Sequence, residues 1–144
     1  MTHWVGIDRL EAALTEMGDK AQSAAKTIVT KSSAVLVKAE KQGFQGSHPR
    51  NMPHVGGSAP NVVSGDLRRF IRMDGVKQYG VAAYRANVGP SLVYARRIEL
   101  GFFGADRLGR KYHQPPFPYV KPATVTARPL MDQIARQEWA KVLH

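Results

Sequence analysis

Tyr94-Ala95-Arg96-Arg97-Ile98-Glu99-Leu100-Gly101 is followed after a loop by Pro116-Phe117-Pro118-Tyr119-Val120-Lys121-Pro122-Ala123. In the first stretch, Pro90-Ser91 opens a short helix on which Leu92, Ala95 and Ile98 share one face, and Gly101 ends it. Arg96 and Arg97 then point away from that face. The second stretch leads into a C-terminal helix beginning near Pro122. Pro129 would clash with the carbonyl four residues back, which predicts a kink or restart near residue 128. Beyond it, Leu130, Met131, Ile134, Ala135 and Val142 supply an apolar face. Residues 101–120 read as irregular, with the aromatic pair Phe102-Phe103 and a basic tip of Arg107, Arg110 and Lys111.

Upstream, Ser64-Gly65-Asp66-Leu67-Arg68-Arg69-Phe70-Ile71 begins with a residue suited to capping a short turn through Leu67. Asp74-Gly75 is a hairpin turn signal. After it, Ala82, Tyr84, Ala86 and Val88 alternate with Ala83, Arg85 and Asn87, the period of a two-faced strand. Residues 44–63 hold Gly46, Pro49, Pro53, Gly56, Gly57 and Pro60 with little periodicity, a loop or arm. Before them, Ile7, Leu10, Leu14, Met17, Ala21, Ala24 and Ile28 step by three and four, and Val35 and Ala39 extend the stripe after a slip. This predicts one amphipathic helix over 8–42, with Asp8 and Glu11 as a capping box and Gly43 as its C-terminal cap. At ~1.5 Å per residue it is roughly 50 Å long, more than a small domain's core covers. Part of the stripe therefore packs on another subunit, or the helix covers only its own sheet.

The expected fold class is α+β: a long N-terminal helix and a C-terminal helix packed on a small antiparallel β-sheet, with long loops, in a single domain over 1–144. The 144 residues suffice for one core without disulfides or metal, and no cysteine is present to form either a disulfide or a Cys-based zinc site. The N-terminus lacks a basic segment followed by an apolar run, and no stretch approaches the ~20 apolar residues that span a bilayer. A soluble, unprocessed chain folded in the cytosol is expected, with no membrane partner. The net charge of +10 is uneven: residues 1–43 hold six Lys/Arg against five Asp/Glu, and residues 44–144 hold fifteen against six. Such a surplus suits a polyanionic neighbour, DNA or an acidic protein surface.

Catalytic chemistry finds little support. His48, Asn51 and His54 invite comparison with metal-dependent nucleases, but no acid lies between Glu40 and Asp66 and no Cys pair is available. Ser64 sits in Val-Ser-Gly, not in a nucleophile elbow. Gly101, Gly104 and Gly109 are followed by no Lys-Ser/Thr, so they form no phosphate-cradling loop. No catalytic residue, metal or cofactor is expected.

Three segments in order, Ser64-Gly65-x-Leu67-x-x-x-Ile71, Tyr94-Ala95-x-x-x-Glu99-x-Gly101 and Pro116-Phe117-x-x-x-x-Pro122-Ala123, resemble the head-to-tail connector (neck, or tail-completion) proteins of long-tailed bacteriophages. The resemblance implies a structural virion protein, assembled in the host cytoplasm. It would form a hexameric ring in the neck between head-closure (stopper) proteins and the tail terminator or tail tube, with the genomic DNA passing through. A tail terminator capping the tube, and a basic DNA-binding accessory protein, are the alternatives. Subunit-interface candidates are Leu10, Leu14, Met17, Tyr94, Glu99 and Phe117. The resemblance implies that Tyr94 and Glu99 fix the short helix against the adjoining loop, with a salt bridge from Glu99 to Arg96 or another Arg, or else Glu99 is an ordinary solvated acid. Candidates for the DNA channel or an acidic partner are Arg68, Arg69, Arg96, Arg97, Arg107, Arg110 and Lys111. The long, basic 101–115 segment departs from the family pattern.

Overall fold

The computed structural model describes residues 6–44, 46, 55–60 and 62–144. Its fold is α+β. Helix α1 (Ile7–Gln42) runs unbroken for 36 residues. Apart from Gly18 its interior holds good or neutral helix formers, many of them alanines. It starts one residue earlier than the periodicity predicts, with Gly6 at the cap position and no side-chain capping bond. Asp8 and Glu11 therefore form no capping box: Asp8 lies inside the first turn, where its charge favours the positive end of the helix dipole. Gly43 caps the other end in a right-handed conformation, its N–H donating to the carbonyls of Ala39 and Glu40.

Helix α4 (Val120–Leu143) packs along α1. Apart from Glu40 and Glu138 the buried positions are small, Ala24, Ala25, Ser32 and Ser33 on α1 and Ala123 and Ala127 on α4, which lets the backbones approach closely. Lys31 Nζ reaches across to Glu138 Oε1 at 2.6 Å, and Lys141 joins the same oxygen at 2.9 Å. These two lysines, Lys31 foremost, hold the Glu138 carboxyl below the usual range.

No restart occurs at Pro129, and α4 is continuous through it. The proline cannot donate to the carbonyl of Val125, so it weakens a helix that packing along α1 still enforces. Pro129→Ala should raise stability by about 2 kcal/mol, the helix gain less the lost stiffness of the unfolded chain. Urea denaturation measures it, and no gain would mean that the proline is accommodated without cost.

Among the described residues the strands form three separate two-stranded antiparallel ladders, not one small sheet. A single long hairpin carries two of them. β1 (Ile71–Met73) pairs with β4 (Val88–Pro90), and β2 (Lys77–Gly80) pairs with β3 (Ala83–Arg85). Its reversal is at Val81-Ala82, where Ala82 takes φ 52, and not at Asp74-Gly75. Asp74 instead staples the two ladders: its backbone N–H donates to Asn87 O, and its carboxylate accepts from the Asn87 N–H and side-chain amide. The hairpin lies against α1, and the short helix α2 (Asp66–Arg69) leads into it.

Helix α3 (Ala95–Leu100) follows, then β5 (Phe102–Ala105) and β6 (Lys111–Gln114), so the supposedly irregular 101–120 segment is largely a hairpin. The sequence signal for it is faint because its turn is built by one side chain. Asp106 accepts from the backbone N–H groups of Leu108 and Arg110, from Arg110 Nε and from the Tyr112 hydroxyl. The described part of 44–63 contains no helix and only an isolated bridge at Val62. The small core unites Leu67, Ile71, Ala95 and Tyr119, with Val37, Phe44, Leu92, Ile98 and Val120 packed around them.

Candidate functional site

The three sequence segments meet at the start of α4. Leu67 and Ile71 come from the first, Ala95 from the second and Tyr119 from the third, and together they are the buried core. Glu99, on the last turn of α3, aims its carboxylate at the N-terminus of α4. Oε2 accepts from the backbone N–H groups of Tyr119 at 2.7 Å and Val120 at 2.9 Å, and Oε1 accepts from Lys121 at 3.0 Å. Pro122 has no N–H, and Ala123 donates to the carbonyl of Tyr119. Every donor that a helix start normally leaves without a partner is thus satisfied or absent. Glu99 is a cap supplied from another helix, its charge opposing the positive end of the α4 dipole. It makes neither a salt bridge to Arg96 nor a merely solvated surface contact.

Gly101 makes this arrangement possible. It takes φ 74, and a side chain there would have its Cβ 2.8 Å from the Gln114 carbonyl oxygen and 2.9 Å from the Pro116 nitrogen. Only glycine accepts both the dihedral and the approach. Beside it, the Phe117 N–H donates to Ile98 O at 2.7 Å, and the Gly57 N–H donates to Pro116 O at 2.8 Å. The spacing of Glu99, Gly101 and the Pro-Phe turn is therefore a folding device: the glycine ends α3, the turn docks on it, and the acid caps the helix beyond.

A second acid lies at this junction. Glu40, at the end of α1, is fully buried, and neither carboxylate oxygen has a hydrogen-bond partner among the described residues. Burial, and secondarily the negative charge of Glu99, push its carboxyl up to about 7. Tyr119, 2 % exposed and packed against Phe44 with the rings tilted and their centroids 5.2 Å apart, has its hydroxyl raised by burial and then by Glu40 and Glu99. Sequence reasoning passed over Glu40. The available signal was its place three residues after Val37 and four before Phe44, on the face that turns inward.

The other predicted residues fall into separate surfaces. Leu10, Leu14 and Met17 are 58, 59 and 50 % exposed, and every residue of α1 up to Lys20 is exposed. Tyr94, at the start of α3, is half-exposed, whereas Phe117 is buried. Arg97, Arg107 and Arg110 gather around a basin that Phe102, Asp106 and Tyr112 also line. The Arg97 guanidinium lies 4.3 Å from the centre of the Phe102 ring, and Arg110 is held by Asp106 at 2.6 Å. Arg68 lines a different concavity with Phe44, Tyr94 and Ile98. Arg69 pairs with Asp66 at 3.1 Å, and Arg96 and Lys111 are exposed. His48, Asn51 and His54 lie outside the described residues.

No helix among the described residues is long and apolar enough to cross a membrane. Comparison with protein-family models, curated protein sequences and solved structures finds no match to this chain.

Proposed function

We propose that this protein is a head-to-tail connector of a long-tailed bacteriophage, a structural ring subunit in the neck of the virion. The observation that carries this reading is the convergence of the three ordered segments on one junction, where Glu99 caps α4, Gly101 admits the Pro116-Phe117 turn, and Leu67, Ile71, Ala95 and Tyr119 close the core. Residues that resemble the connector pattern are those that this fold needs. The bare stripe on α1 supports association with further copies, as a hexameric ring requires. Head-closure proteins above and the tail terminator or tube below would be its partners, with the genome passing through the channel.

A phage lacking the gene should package DNA and polymerise tails but fail to join them. Electron microscopy of lysates reads this directly. Abundant normal virions would refute the joining role, and tails of uncontrolled length would favour a terminator.

The arginine basin favours a second reading, a basic DNA-binding accessory protein, because Arg97 of α3 and Arg107 and Arg110 of the β5–β6 hairpin flank the rings of Phe102 and Tyr112. Salt separates the readings: a phosphate-binding protein loses affinity steeply as salt rises, and a ring held by apolar stripes does not dissociate with it.

A further inference from the structure

Among the described residues, an apolar stripe on α1 stands uncovered and an apolar groove opens beside the core, on surfaces that one copy cannot bring together. The stripe is Ile7, Leu10, Leu14 and Met17, each between 47 and 59 % exposed. They continue the three/four spacing that reaches its first buried residue only at Ala24. The groove, about 400 Å³, is lined by Pro60, Val63, Ile98, His113, Pro115 and Phe117. It lies beside the β5–β6 hairpin, whose Phe103 is 59 % exposed and stands edge-on to His113 with centroids 4.5 Å apart.

Three features match the two surfaces. Residues 6–20 carry four acids, Asp8, Glu11, Glu16 and Asp19, against two cations, Arg9 and Lys20, whereas the hairpin over 102–114 carries three cations, Arg107, Arg110 and Lys111, against Asp106 alone. Opposite net signs favour this pairing over two overhangs packed together. The overhang is roughly 20 Å long at ~1.5 Å per residue, and the hairpin from Phe102 to its tip is also roughly 20 Å at ~3.3 Å per residue. The groove adjoins the Glu99 junction near the far end of α1, and the helix from Met17 to Glu40 is a rigid rod of roughly 35 Å. An unbroken helix cannot fold back, so a copy cannot fill its own groove.

We propose that the α1 overhang of one copy docks its Ile7-Leu10-Leu14-Met17 stripe into the Pro60-Val63-Ile98-Phe117 groove of the next copy, with the acidic overhang flanking the basic hairpin. Because stripe and groove are different surfaces, the contact is head-to-tail, and repetition with the right rotation closes a ring. The inference rests on the neck reading only for that closure; the contact itself is a property of the purified chain.

The absence of cysteine makes disulfide trapping clean. Leu14→Cys and Val63→Cys variants, mixed at high concentration and oxidised, should give a cross-linked heterodimer, with the Leu14–Val63 linkage identified by mass spectrometry. Its yield should exceed that of Leu14→Cys mixed with Val93→Cys, a control at a 98 % exposed position, by about tenfold, as docking raises the local thiol concentration. Adding Leu10→Asp to the Leu14→Cys chain should remove the excess. Equal yields with both partners, or a dominant Leu14–Leu14 product, would overturn the proposal, and so would trapping of the overhang only on a different protein. The neck reading is scored separately on particles: joined virions from a phage whose purified protein shows no cross-link would sink the contact alone, and cross-linking with a deletion phage that still forms normal virions would sink the neck role alone.

Discussion

Glu99→Ala should cost about 4 kcal/mol of folding stability, because it removes three charge-assisted bonds of net ~1.5 kcal/mol each from the start of α4. The donors it serves, the backbone N–H groups of Tyr119, Val120 and Lys121, have no alternative acceptor in the helix, and the first two are part-buried. Water can replace only some of the lost bonds. Tyr119 belongs to the core, so fraying at this cap should propagate to Leu67, Ile71 and Ala95. Glu99→Gln retains one acceptor oxygen and loses the charge that opposes the helix dipole, and should cost about half as much. Urea denaturation followed by circular dichroism measures both. Equal stabilities for wild type and Glu99→Ala would mean that the cap contributes nothing, whereas a loss for Ala with partial recovery for Gln is the expected order.

Glu40 predicts a stability that falls as pH rises. Its carboxyl is raised from an ordinary value of 4.5 to about 7 in the folded protein, so the folded state holds this proton more tightly than the unfolded state. The contribution is fully present below pH 4.5 and is lost as the pH rises to the folded value of about 7, a change of about 3 kcal/mol from this group. Above that pH the fold carries a buried carboxylate beside Glu99 with no hydrogen-bond donor among the described residues. Glu40→Gln should therefore match wild type near pH 4 and exceed it by about 3 kcal/mol near pH 8. Denaturation midpoints across this range supply the measurement. Parallel profiles for the two proteins would show that Glu40 does not titrate with folding. Glu99→Gln removes the lesser cause of the rise, so it should shift the wild-type fall only slightly toward lower pH.

These two acids also mark how far sequence reading reaches. The three/four spacing from Ile7 to Ile28 identified α1 to within a residue of its start, because helical periodicity is a local property that every turn repeats. The short helix closed by Gly101 and a helix beginning near Pro122 were legible for the same reason, each depending on a few adjacent residues; their starts were not, since Pro90 ends β4 and α3 begins only at Ala95, while α4 begins at Val120. The 102–114 hairpin was missed because Asp106 organises its turn through side-chain bonds that leave no alternating pattern. Asp74-Gly75 was misplaced as the reversal because Asp74 bonds across the ladder to Asn87, a choice fixed by the partner strand.

From the sequence alone, then, came the helical stripe, the basic surplus, the lack of cysteine and the three ordered segments. Tertiary structure alone decided where the charges went. A Glu on an exposed-looking face of a short helix became the cap of another helix 20 residues on, and a Glu in a long amphipathic helix became a buried group with no partner among the described residues. The local chain sets backbone conformation by short-range sterics and periodicity. The solvation of a carboxylate depends on which distant segments fold over it, here the Pro116–Lys121 turn that Gly101 admits and Glu99 caps.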